Sequence, residues 1–132
     1  MIYLLPLVAA IAPFFLWAVE LYLPYPFIIE EAAKTLMVFP LLTIDRPSEK
    51  FKMGMVIGFL FAISESTLYI FNIQAVGSTA TLIERLILTT PLHIATTLII
   101  LVFGVKNKKL IVLGFVVAAV IHLLYNYFVR LI

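Results

Sequence analysis

Residues 27–44 read FIIEEAAKTLMVFPLLTI, an apolar run interrupted by Glu30, Glu31 and Lys34. At about 1.5 Å per residue, a run of this kind approaches the ~30 Å hydrocarbon core of a bilayer. A charged residue inside a span costs at least ~2.5–3.5 kcal/mol on insertion scales, so a span carrying three invites a functional reading. Working outward, similar apolar stretches cover residues 2–23, 53–76, 80–105 and 110–132. The chain therefore reads as an all-α membrane protein, a bundle of about five transmembrane helices in a single domain over residues 1–132. A spanning backbone must pair its polar groups internally, and no alternating barrel pattern is present. Helices are what remains.

Composition supports this. Of 132 residues, 64% are hydrophobic and 12% charged, against roughly 45–50% and roughly 25% in soluble domains. Such a chain has too little polar surface for a water-facing globule and too much apolar content for disorder. The absence of cysteine excludes disulfides, thiolate metal sites, a cysteine nucleophile and lipidated-cysteine anchors. Between the stretches lie Pro24-Tyr25-Pro26, a turn, and Asp45–Lys52, a charged connector with Ser48 expected as the next helix's N-cap. Gly77–Thr79 and Lys106–Lys109 form two further turns. Pro6 and Pro13 are expected to kink the first span, which reads as a retained helix because no basic start or small-residue cleavage site marks a signal peptide. Six of the nine Lys and Arg residues lie in the second and fourth connectors and none in the first and third. The positive-inside rule then places those two connectors and the N-terminus in the cytoplasm, for a multi-pass protein of the cell membrane.

Five of the seven acids lie within spans, namely Glu20, Glu30, Glu31, Glu65 and Glu84, together with Lys34, Arg85, His93, His122 and Asn126. Lys34 lies four residues from Glu30 and three from Glu31, within reach of either on one helix face. An intrahelical ion pair would explain one glutamate but not a second beside it. Adjacent carboxylates in a low dielectric resist being charged together, which places an acid and a base side by side. Glu65 has no basic partner on its own helix, and Tyr69 and Asn72 extend its polar stripe. His122 and Asn126, four apart, share a face, so the amide can fix the imidazole or work beside it. Counted at about 1.5 Å per residue from the outer ends of the spans, Glu31 lies roughly 8 Å deep, His122 roughly 15, Glu65 roughly 17 and His93 roughly 20. Four helices of alternating direction thus bring their polar groups into one layer, expected to line one cavity reached from the outer side. Glu20 and Glu84 lie nearer the outer surface and read as rim residues.

The order EExxK (Glu30, Glu31, Lys34), FxxxE (Phe61, Glu65), a histidine after Arg85 and Pro91 (His93) and HxxxN (His122, Asn126) resembles the PrsW-type intramembrane proteases. That group is similar to the CAAX prenyl endopeptidases and bacteriocin-immunity membrane proteases. The resemblance covers about residues 27–130 and implies peptide-bond hydrolysis in or near the membrane, on a membrane protein or peptide substrate. It implies Glu30 or Glu31 as the base that activates water. The histidines and Asn126 would stabilise the oxyanion, or His93, His122 and Glu65 would hold a metal. Lys34 and Arg85 are supporting residues.

Two mechanisms fit these residues. Histidine and carboxylate ligands suit zinc, yet no close histidine pair pre-forms a site on one helix, so the metal-free glutamate mechanism without a cofactor is the expectation. Other chemistries find less support: there is no HExxH motif, no GxGD aspartyl signature, and no GxSxG-like elbow around Ser64 and Ser66. The alternative function is non-catalytic, a membrane scaffold or an ion- or proton-coupled carrier. Carriers usually show inverted repeats, which are absent, and scaffolds bind helices more cheaply with Ser, Thr and Asn than with glutamates. Nucleic acid is not an expected partner.

Overall fold

The structure, a computed structural model, describes residues 2–73 and 79–129. It contains five α-helices: α1 Leu5–Glu20, α2 Pro26–Val38, α3 Pro47–Ile73, α4 Thr79–Lys106 and α5 Ile111–Val129. Short 3-10 turns at Ile2–Leu4, Phe39–Thr43 and Lys108–Leu110 extend three of them, and no strand occurs among the described residues. Four stretches are long and apolar enough to cross a membrane: Ile2–Glu20, Pro47–Leu68, Leu86–Lys106 and Lys108–Phe128. The protein is an integral membrane protein.

The second stretch departs from its expected form. Instead of one span over 27–44, α2 is α-helical only to Val38 and then tightens into the 3-10 turn. Pro40 explains the change, because it has no N–H to donate and its ring crowds the carbonyl four residues back. With three charges in 13 residues, α2 is an inner helix. Its buried face is Phe27, Glu30, Glu31, Lys34, Met37 and Val38, at helical spacing. Charge faces inward here, the reverse of a helix in water.

The connector expected over Asp45–Lys52 is also shorter. Helix α3 begins at Pro47, whose fixed φ suits a first helical position, so Ser48 lies inside the helix and is not its cap. Arg46 pairs with Glu49 at 2.8 Å on the exposed surface. Asn107 caps the turn before α5 by accepting from the Lys109 N–H at 2.9 Å. In α1, Pro6 sits at the helix start, where no hydrogen bond is lost; only Pro13 interrupts the ladder.

Helix α3 packs against both α1 and α4, α5 covers α4, and α2 sits across α1, α4 and α5. The apolar core includes Leu41, Ile57, Phe61, Ile100 and Leu101, all fully buried. Ser64 ties α3 to α1 by donating to the Ala10 carbonyl at 2.6 Å, so its hydroxyl is taken up structurally. Glycine sets the α3–α4 spacing. A Cβ on Gly58 would lie 2.7 Å from the His93 carbonyl oxygen and 2.7 Å from Ile94 Cα, both backbone atoms. Helix propensity alone favours alanine over glycine by ~1 kcal/mol, but here the contact decides the sign. Gly58→Ala should lose about 1–3 kcal/mol of stability and displace His93. Gly54→Ala should cost less, since its Cβ would meet side-chain methyls, of Leu101 at 3.0 Å and of Leu98 at 3.4 Å, and no backbone atom. Thermal unfolding in detergent checks both, and a stabilised Gly58→Ala would contradict the close packing.

Candidate active site

The inward face of α2 meets His93 and Thr96 of α4 and His122 of α5, and α3 brings Glu65 against His93. Glu31 and Lys34 are fully buried, and Lys34 Nζ donates to Glu31 Oε1 at 2.5 Å. The same ammonium reaches His93 Nδ1 at 3.0 Å and Thr96 Oγ1 at 2.8 Å on α4. It also lies 5.4 Å from the Phe61 ring centroid, a cation–π contact. Glu31 Oε1 accepts a second hydrogen bond from His122 Nδ1 on α5 at 2.8 Å. A carboxylate, an ammonium and two imidazoles thus form one chain across three helices. Such a buried network is stable only because its members satisfy one another.

Glu30 is the less constrained glutamate of the pair. Its Oε2 faces His122 Nε2 at 3.7 Å, beyond hydrogen-bonding distance. On α3, Glu65 Oε2 approaches His93 Nε2 to 2.5 Å without the alignment of a hydrogen bond. Among the described residues, four buried atoms lack a hydrogen-bond partner: Oε2 of Glu30, Glu31 and Glu65, and Nε2 of His93. The two imidazoles stand edge to face with centroids 5.2 Å apart. Phe61 packs on His93 and Phe27 on His122, at 5.4 and 6.3 Å.

These atoms suit a divalent metal. Glu30, His93 and His122 each offer a ligand atom, and all lie within 4.8 Å of one another. Two imidazoles and one carboxylate are a ligand set of catalytic zinc, which keeps an open position for water. The Nδ1 donation from His122 to Glu31 is the kind of outer contact that orients a ligating histidine. This set differs from the expected one: Glu30 stands with the two histidines, while Glu65 approaches His93 alone.

Of the other residues singled out in the sequence, Asn126 is half-buried and makes no hydrogen bond to His122 among the described residues. It lines a pocket of about 190 Å³ with Pro24, Tyr25, Phe27 and Leu123. The side chains of Arg85, Tyr69 and Asn72 lie outside the described residues. Glu84 is exposed, as a rim residue would be, but Glu20 is half-buried. Sequence reasoning missed Thr96 and Thr97. Thr96 accepts from Lys34, and Thr97 donates to the His93 carbonyl at 2.7 Å. Their positions three and four residues after His93 were the available signal.

Carboxylates and imidazoles gathered inside a membrane bundle, with lone pairs left over, make a membrane-embedded centre able to hold a metal or activate water. A family model described as PrsW family intramembrane metalloprotease matches residues 9–132. The chain belongs to this family and is an intramembrane protease, acting on membrane protein or peptide substrates in the bilayer. No curated protein and no solved structure matches it.

Proposed function

We propose that the protein hydrolyses peptide bonds with Glu65 as the general base, beside a divalent metal that Glu30, His93 and His122 would hold. The observation that supports this is the spacing of those three ligand groups next to buried carboxylate oxygens without partners. The chemistry a bound metal supplies in such a set is Lewis-acid polarisation of water or a carbonyl oxygen. Glu65 is the carboxylate left outside the set; its side chain is 26% exposed, while the Oε2 atom itself is buried beside the imidazoles. Glu65 Oε2 takes a proton from water as the water oxygen bonds to the peptide carbonyl carbon and the C=O pair moves onto oxygen. When the C–N bond breaks, that proton passes to the leaving nitrogen, giving a carboxyl group and an amine. Glu31 and Lys34 orient the imidazoles, and Asn126 holds the substrate backbone in the pocket by the Pro24–Pro26 turn.

Chelation tests this reading. Cleavage of a transmembrane reporter peptide in liposomes should stop with a divalent chelator and return with added zinc; cleavage indifferent to chelator would remove the metal from it. The likeness to the CAAX prenyl endopeptidases rests on motif order, through Glu30–Glu31, His93 and His122–Asn126. The charge asymmetry of the connectors supports a cell-membrane protein with a cytoplasmic N-terminus. Because the chain has no cysteine, Ser48→Cys creates a single thiol. An impermeant reagent should label it only after cells are opened, and labelling of intact cells would reverse the orientation.

A further inference from the structure

We propose that Lys34 is a positioning residue which, opposite Glu31, holds the two active-site histidines in opposite tautomers, so that they are not equivalent. An ammonium has three N–H groups and no acceptor. Lys34 Nζ spends them on Glu31 Oε1, Thr96 Oγ1 and His93 Nδ1, at 2.5, 2.8 and 3.0 Å. His93 Nδ1 is thereby the acceptor, and the neutral ring carries its hydrogen on Nε2, the atom beside Glu65. His122 is set the other way. Its Nδ1 faces Glu31 Oε1, and an ionised carboxylate only accepts, so Nδ1 carries the hydrogen. The Nε2 lone pair of His122 then points to the space shared with Glu30 Oε2.

The consequence concerns which histidine can do what. His122 presents a lone pair as it stands, the form a metal ligand needs. His93 presents an N–H, the form that hydrogen-bonds a carboxylate or a developing oxyanion. It offers Nε2 to a metal only when its hydrogen moves to Nδ1 and the Lys34 contact gives way. Lys34 therefore decides the part His93 plays in the centre. This rests on the proposed function for its chemical meaning, but the tautomers themselves are independent of any activity.

The test is nitrogen-15 NMR of ring-labelled histidine in lipid nanodiscs, without metal, at alkaline pH where the rings are neutral. The chain holds two histidines, so His93→Gln assigns both ring systems. The expected result is hydrogen on Nε2 of His93 and on Nδ1 of His122. Both rings in the same tautomer, or the reverse assignment, would overturn the proposal. In Lys34→Met, His93 should change from one tautomer to a mixture while His122 stays as it was; an unchanged His93 would take the role away from Lys34. If that variant does not fold, Lys34→Met with Glu31→Gln keeps the buried charge balanced and should free both rings, and fixed tautomers there would count against the proposal. Chelator-indifferent proteolysis would defeat the metal reading and leave these ring assignments untouched.

Discussion

Glu65→Gln should lower the cleavage rate by about 10²–10⁴-fold, the usual contribution of a positioned general base, while the protein folds and binds zinc as before. The separation of effects follows from geometry. Glu65 stands outside the Glu30–His93–His122 set, and the isosteric amide keeps an oxygen that can face His93 Nε2. Glu31→Gln should behave differently. Glu31 Oε1 holds both the Lys34 ammonium and His122 Nδ1, so its loss removes stability along with activity. Reporter cleavage, zinc titration and thermal unfolding on the same preparations separate the two. A Glu65→Gln protein that cleaves within tenfold of the parent would assign the base elsewhere, with Glu30 next in line because its Oε2 is also unpartnered.

Lys34→Met should cost about 3–5 kcal/mol of stability, the range for breaking a buried ion pair by removing one partner. Lys34 and Glu31 are both fully buried, so water cannot take over the stranded carboxylate. Three donated hydrogen bonds and a cation–π contact go with the ammonium. Methionine fills nearly the same space, so the cavity contribution is small and the electrostatic one dominates. Adding Glu31→Gln to Lys34→Met should recover a good part of the loss, because no stranded charge of the pair remains. That gives a coupling energy in the upper part of the ~0.5–3 kcal/mol range for residues in contact. Additive single effects would show that the pair does not interact as its geometry indicates. Activity should not return with stability, since the double variant no longer orients either histidine.

What sequence could determine is what depends on position along a helix. Span length, the breaks at Pro24–Pro26 and around Asn107, and the placement of Glu30–Glu31, Glu65, His93 and His122 on separate helices follow from apolar run lengths and a fixed rise per residue. The motif order pointed to the protease family on the same one-dimensional grounds. Rotation about the helix axes and the distances between them were left to tertiary packing. Glu30 and Glu31 are neighbours in the chain, yet Glu31 turns toward Lys34 and His122 while Glu30 faces the open side of His122. Only packing could distinguish them, because α2 is wedged between other helices and presents each side chain to a different neighbour. Packing also set Glu30 rather than Glu65 with the two histidines, and left Asn126 without a hydrogen bond to His122 among the described residues. The α3–α4 contact at Gly58 is short enough to exclude even a methyl group, and it holds Glu65 against His93. A glycine in a helix looks like a weak point in sequence; only its neighbours across the interface reveal that the centre depends on it.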